Sequence, residues 1–262
     1  MITRLEVLLT PAEFALLPSR DLSGTACVVL DVLRATSTML QALASGAESI
    51  LPVRDIPTAL AARREDPTVL LAGEREGLRI GSELTGGVEF DLGNSPREFV
   101  ASRVGGRRLV MTTSNGTRAI DACQKAEAVV VTSFGNLTAT ARWLHQAGLT
   151  RVMVVGAGTL EHSAWEDVLG AGALVDRLWD SVQGGWIDDA ARVVREVYRA
   201  RRDDLVQAAG EGRNGRRLLS LPELADDVPL CFEVDRFEFV ARRGRDGWIR
   251  SEPPIAAGTV AS

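Results

Sequence analysis

Asp31 closes the apolar run Cys27-Val28-Val29-Leu30 and is followed by Val32-Leu33-Arg34-Ala35-Thr36-Ser37-Thr38. A carboxylate at the carboxyl end of a strand, with an arginine and hydroxyls after it, suits a metal ligand or general base beside an anion pocket. A helix N-cap is the plainer alternative. The spacing is not that of the aspartyl-phosphatase motif DxDxT, because Leu33 and Ala35 stand where the second acid and the threonine belong. A second chemical stretch is Thr112-Thr113-Ser114-Asn115-Gly116-Thr117, between the strand-like Leu109-Val110-Met111 and the helical Arg118-Ala119-Ile120. Hydroxyls and unpaired backbone N–H groups at a helix start, where the dipole is positive, make an anion site, above all a phosphate site.

Further acids stand near similar loops. Glu166 and Asp167 open the helical stripe Val168, Leu169, Gly172, Val175, Leu178 and Trp179, just past Gly156-Ala157-Gly158-Thr159-Leu160-Glu161. Adjacent carboxylates there suit Mg²⁺, which takes few carboxylates and keeps its waters. For Glu166 a capping box with Ser163 is the structural alternative. The glycine loop is not a dinucleotide fingerprint, since Glu161 occupies the third glycine position and would repel a pyrophosphate. Asp91-Leu92-Gly93-Asn94-Ser95-Pro96 has a cap-like Ser95 with Pro96 at the first helical position, and Gly73-Glu74-Arg75 reads as a turn after a short strand. His145 reads as a mid-helix surface residue and His162 as a solvent-facing loop residue, with proton donation as its functional alternative.

Composition narrows the function classes. The 262 residues carry a net charge of −5, which argues against nucleic acid as a bulk electrostatic partner. Lys125 is the only lysine, so no glycine loop has a P-loop lysine and anions must be gripped by arginine. Cys27, Cys123 and Cys231 show no CxxC spacing and read as reduced, mostly buried thiols, with a catalytic cysteine as the alternative. With few His and Cys, zinc is disfavoured and hard oxygen ligands are the natural metal cage. The apolar N-terminal stretch contains Glu6 and no cleavage pattern, and no run is long enough for a membrane span. A cytoplasmic protein with no membrane partner is expected.

These residues need elements to hold them. The strand–loop–helix rhythm recurs over Cys27–Leu40, Arg108–Ile120, Ala128–Leu144 and Val152–Leu178, placing all four loops at strand carboxyl ends where they can converge on one cleft. Strands are expected at Ile2–Leu9, Ala26–Asp31, Ser49–Val53, Thr68–Leu71, Arg108–Thr112, Ala128–Thr132, Arg151–Val155, Leu230–Val234 and Phe237–Ala241. Helices are expected at Thr36–Ser45, Ile56–Arg64, Pro96–Arg103, Thr117–Gln124, Leu137–Gln146, Ala164–Ser181, Asp188–Arg201 and near Gly215–Ser220. Gly210-Glu211-Gly212-Arg213-Asn214-Gly215 reads as a flexible turn. The pattern implies an α/β protein, three layers α/β/α around a largely parallel or mixed sheet. It forms a single domain over 1–262 or two closely packed lobes at about 1–130 and 131–250, with a frayed tail at 252–262.

Taken together, the stretches Asp31–Thr38, Gly73-Glu74-Arg75, Phe90–Pro96, Thr112–Ala119, Ala157-Gly158-Thr159 with Glu166-Asp167, Gly215-Arg216-Arg217-Leu218 and Asp227-Val228-Pro229 with Asp235 resemble the Mg²⁺-dependent 2-phosphosulfolactate phosphatases. The likeness runs from about Val29 to Asp235, departing from the family pattern at Gly156, Glu161 and Ser163-Ala164 and more loosely around Asn136. The resemblance implies a phosphatase acting on a small anionic phosphoester. That ester is (2R)-2-phospho-3-sulfolactate, which yields sulfolactate and phosphate, a step that serves coenzyme M biosynthesis in some archaea. The rival readings are a phosphatase or phosphotransferase on another small phosphoester, and a non-catalytic binder of phosphorylated or sulfonated acids. A homodimer is the default assembly. Under the phosphatase reading Arg34, Arg75, Arg118 and Arg216 are anion clamps, and Asn94, Ser95, Thr113, Ser114, Asn115, Gly116 and Thr117 form a phosphate cradle. Mg²⁺ ligands are drawn from Asp31, Glu74, Asp91 and Asp167, and the catalytic carboxylates from Asp31, Glu166 and Asp167, one of which orients or deprotonates the attacking water.

Overall fold

The structure, a computed structural model, describes residues 1–182 and 184–253. Of the tail expected to fray, 254–262 lies outside the described residues, and Glu252 closes a strand. The strands are β1 (Arg4–Leu8), β2 (Thr25–Leu30), β3 (Ser49–Pro52), β4 (Leu70–Arg75), β5 (Leu78–Arg79), β6 (Arg108–Thr112), β7 (Ala128–Thr132), β8 (Arg151–Gly156), β9 (Trp186–Ile187), β10 (Val240–Arg243) and β11 (Ile249–Glu252). They form one sheet in the order β5-β4-β6-β3-β11-β10-β7-β2-β8-β1-β9. The blocks β7-β2-β8-β1-β9 and β3-β6-β4 are each parallel, and the antiparallel β10–β11 hairpin joins them. Strands from before and after residue 130 interleave, β2 lying between β7 and β8.

The expected three-layer α/β architecture with a mixed sheet is what the chain adopts, and the strand sequences show why. Ala26, Val28 and Leu30 of β2 point into one core while Cys27 and Val29 point into another. Val130 and Val154 join the first core, and Val129, Val131, Met153 and Val155 the second. Strands covered by helices on both faces must be apolar at every position, which the β-branched runs supply. Each such side chain contributes about 1.5–3 kcal/mol on burial. The helix Trp165–Leu178 packs on the first core and Ala35–Ala44 on the second. A smaller cluster of Val69, Leu71, Ile80, Phe90 and Val110 supports the outer strands.

Several boundaries differ from expectation. Leu230–Val234 is not a strand; Asp227–Cys231 is a short helix that buries Val228 and Cys231. A brief apolar run has no periodicity to separate the two, and Pro229 fits a first helical turn. The strand expected at Phe237–Ala241 starts only at Val240. Phe237 N–H instead donates to Gly135 O, and Phe239 O accepts from Asn136. Pro96–Arg103 divides into a 3-10 turn at Pro96–Glu98 and a helix at Ala101–Val104, because Phe99 is driven into the core. The supposed flexible turn at 210–215 is a tight junction at Gly212 between the helices Leu205–Glu211 and Arg213–Leu219. Gly73-Glu74-Arg75 continues β4 rather than turning. Gly73 there has φ 151, and a Cβ would stand 2.0 Å from Thr112 O, so only glycine lets β4 lie this close to β6.

Candidate active site

The carboxyl ends of β2, β4, β6 and β8 meet around a cleft of about 330 Å³ whose walls include Asp31, Arg34, Glu74, Asn94, Ser114, Asn115, Thr159, Arg213, Asn214 and Arg217. Three of the four expected loops therefore converge. The fourth, after β7, places Ser133 and Gly135 beside Arg236 and Phe237 instead. A second hollow of about 220 Å³ lies on the other side of Arg213 and Asn214, with Glu166 in its wall.

Asp31 is the centre of the polar end. Its backbone is clamped by Thr36, whose hydroxyl donates to Asp31 O at 2.9 Å and accepts from Asp31 N at 3.0 Å. Its carboxylate accepts from Ala35 N at 3.2 Å, although the N-cap of that helix is Arg34 and not Asp31. The helix Gly116–Ala122 approaches so closely that a Cβ on Gly116 would stand 2.7 Å from Asp31 Oδ2 and 2.8 Å from Ala35 Cβ. Glycine at 116 is therefore a requirement of this approach.

Glu74, Glu166 and Asp167 crowd the same region. Glu74 accepts from Ser114 N at 2.7 Å and from Gly77 N at 2.7 Å. Glu166 accepts from Asn214 Nδ2 at 2.6 Å. The helix N-cap is Ala164 with no side-chain cap, so the capping box expected of Glu166 does not form. Asp167 accepts from Val32 N at 2.9 Å and Gly158 N at 3.0 Å, tying the ends of β2 and β8 to the helix Trp165–Leu178. Burial pushes the Asp31 carboxyl up to about 7, with the charges of Glu74 and Glu166 adding to the effect. Burial raises Asp167 well above the usual carboxylate range, reinforced by Asp31 and Glu166, and burial likewise raises Glu166.

Buried like charges of this kind call for a cation. Among the described residues no group of three or more His, Cys, Asp or Glu stands close enough to hold a metal ion. The donor set is all oxygen, and it fits an ion held by one or two carboxylates, waters and a substrate phosphate, which is the habit of Mg²⁺. Asn94 adds an oxygen at the cleft, since its buried Oδ1 has no hydrogen-bond partner among the described residues.

Arginines line the same cleft. Arg34 is fixed by Asp227 at 2.8 Å and by Gly77 O at 2.8 Å. Asp227 also takes Arg97 Nε at 2.8 Å and Ser95 Oγ at 2.6 Å, and Arg97 reaches Asp226 as well, so two arginines and two acids balance in this cluster. Arg213 donates to Thr159 O and Arg217 to Glu76 O, bridging loops on either side. Arg213, Asn214, Arg217 and Leu218 share one face of their helix.

The remaining expected residues sit elsewhere or act on backbone. Arg216 is on the outer side of that helix, bonded to Glu211 O. Arg118 is exposed. Arg75 donates to Glu74 O at 2.6 Å and to Thr112 Oγ1 at 3.0 Å. Asp91 caps Leu71 N and pairs with Arg63. Thr113 and Thr117 bond one another across the turn, and Ser37 and Thr38 donate to Val32 O and Asn94 O. These hydroxyls build the loops. His145 and His162 are exposed. Cys27, Cys123 and Cys231 are free and buried, and burial pushes Cys231 up to about 12, which leaves an inert thiol. Arg213, Asn214, Arg217 and Thr159 were missed; fixing the phase of the Arg213–Leu219 helix would have found the two arginines.

A family model described as 2-phosphosulpholactate phosphatase matches residues 13–244. A probable 2-phosphosulfolactate phosphatase of Synechococcus sp. (strain JA-3-3Ab) is 36% identical over 226 residues, covering 85% of this chain and 90% of that one. A protein of the same description from Caldanaerobacter subterraneus subsp. tengcongensis is 33% identical over 234 residues, covering 88% and 92%. Another, from Caldicellulosiruptor saccharolyticus, is 37% identical over 187 residues, covering 70% and 74%. Every residue placed around the cleft lies inside the family match, and the chain belongs to the 2-phosphosulpholactate phosphatase family.

Proposed function

We propose that this protein is a Mg²⁺-dependent phosphatase that hydrolyses (2R)-2-phospho-3-sulfolactate to sulfolactate and phosphate. The observation that carries the reading is one cleft that brings buried acids and arginines together, in a chain of this family. Arg34, Arg213 and Arg217 bind the anionic groups. Arg213 and Arg217 exchange neutral carbonyl acceptors for charged oxygens, which form the stronger hydrogen bonds. Asp31, with Glu166 or Glu74, holds the ion, which when bound neutralises phosphate charge and acidifies water. Glu166, where Glu74 is the second ligand, takes the proton of the attacking water; burial raises its carboxyl, which suits that task. Asp167 acts as a positioning residue through Val32 and Gly158.

The test is phosphate release from 2-phospho-3-sulfolactate. Release is expected with Mg²⁺, with loss in EDTA and recovery on re-addition; no release from this or any small phosphoester at excess Mg²⁺ defeats the reading. Arg213→Ala and Arg217→Ala are each expected to raise KM roughly 10- to 100-fold, the cost of a hydrogen bond to a charged group. Unchanged KM in both would remove them from the substrate site. Gly116→Ala is expected to displace Asp31 and lower kcat by about 10- to 100-fold. Native turnover in that variant would show that the Gly116 approach is unimportant.

A further inference from the structure

Three of the acids crowded at the polar end are held by backbone donors of the strand-end loops. Asp31 takes Ala35 N, Glu74 takes Ser114 N and Gly77 N, and Asp167 takes Val32 N and Gly158 N. Glu166 differs, because the group that reaches it from another element is a side chain, Asn214 Nδ2 at 2.6 Å. The same nitrogen donates to Thr159 Oγ1 at 2.6 Å, so the two amide hydrogens are both directed, one to the loop after β8 and one to the carboxylate. The start of the helix that carries Asn214 is itself fixed. A Cβ on Gly212 would stand 2.9 Å from Trp165 Cβ, and Trp165 Nε1 donates to Ala208 O at 2.8 Å, so this junction is locked against the residue that precedes Glu166.

Without that donor Glu166 has somewhere else to go. Asn214 stands in the walls of both hollows, and Glu166 lines the second, about 220 Å³ in volume. A glutamate side chain has three torsions, and free space on the far side lets it turn away from the ester unless something holds it. Resting on the phosphatase reading above, we propose that Asn214 is a positioning residue that holds the Glu166 carboxylate toward the cleft, where it meets the attacking water. The water oxygen bonds phosphorus as its proton passes to Glu166, the ester P–O bond breaks, and the leaving oxygen takes up a proton from solvent. Asn214 touches none of these atoms and acts only through Glu166.

The experiment is a double-mutant cycle on steady-state phosphate release from 2-phospho-3-sulfolactate with Mg²⁺. Asn214→Ala and the isosteric Asn214→Asp, whose carboxylate has no hydrogen to donate, are each expected to lower kcat roughly 10- to 100-fold with KM within about threefold of wild type, the scale of a misplaced catalytic group. In a Glu166→Gln background, itself slow, Asn214→Ala is expected to change kcat by less than about twofold, because the group it positions is already lost. A structural role would lower both backgrounds alike. A raised KM with kcat kept, wild-type values in both Asn214 variants, or losses that multiply in the double variant would overturn the proposal. Wild-type turnover in Glu166→Gln would overturn it together with the base assignment, leaving the phosphatase reading in place. No phosphate release by the wild type would overturn that reading and the proposal with it.

Discussion

Asp31→Asn should lower kcat by roughly two to four orders of magnitude while raising the melting temperature of the metal-free protein at pH 8. The two effects have one cause. Asp31 is 8% exposed and lies within the fields of Glu74 and Glu166, so its ionised form is poorly solvated in the fold. Asparagine keeps the shape and an acceptor for Ala35 N but removes the charge. The folded protein then no longer confines an ionised group that the unfolded chain would hydrate, and stability rises. Turnover falls because the same charge is what draws the ion; losing a charge-stabilising group of this kind costs on the order of 10²- to 10⁴-fold. Steady-state phosphate release and thermal denaturation of the same preparation check both halves. Near-native turnover with an ordinary Mg²⁺ response would remove Asp31 from the chemistry. Lost turnover with a lower melting temperature would make its role structural.

The sequence disclosed some layers of this arrangement better than others, for physical reasons. The β-branched runs of β2, β7 and β8 were legible because a strand buried on both faces tolerates no polar position, and Val28 and Val29 feed different cores. Asp31, Ser114 and Asn115 were legible as cleft residues because strand carboxyl ends of an α/β sheet gather ligands, whereas Asn94 came only with the family resemblance. Residue type alone could not give orientation. Arg118 and Asp91 have the right chemistry in the right loops, yet Arg118 is exposed and Asp91 is spent on Leu71 N and Arg63. Arg216 and Arg217 are neighbours in sequence, and only the start of the helix at Arg213 decides that Arg217 reaches the cleft and Arg216 does not. The β10–β11 hairpin was half legible. Its pairing with β7 and β3 is long-range, and the run from Phe237 to Phe239 is used to bind the loop after β7 before β10 begins.

The metal-free protein is expected to lose stability as pH rises from about 5 to 8, and Mg²⁺ should restore it most at the alkaline end. The sign follows from Asp31, Glu166 and Asp167, whose carboxyls are all raised in the fold by burial and, for Asp31 and Asp167, by neighbouring acids. A group with a raised folded pKa contributes stability that is full below its unfolded value and lost as pH climbs through the folded one. For Asp31 that window runs from 3.8 to about 7. At about 1.4 kcal/mol per unit, this one residue is worth on the order of 4 kcal/mol across the window, a large share of an ordinary folding free energy. Glu6 and Asp235 act oppositely, since Arg20 and Arg4 hold Glu6 low and the Thr138 hydrogen bonds, with Arg177, hold Asp235 low, so their contribution is lost only on acidification. They therefore shape the acid limb; outside the cleft, Asp188, raised by burial, adds to the alkaline decline but is not tied to the Mg²⁺ response. A cation bound only by the ionised cluster stabilises the fold by mass action, and competes with protons, so its effect must grow with pH. Melting temperatures in EDTA and in millimolar Mg²⁺, at matched ionic strength from pH 5 to 8, measure both slopes. A flat profile in EDTA, or a Mg²⁺ effect equal at both ends, would mean that the buried acids share protons without ever needing a metal.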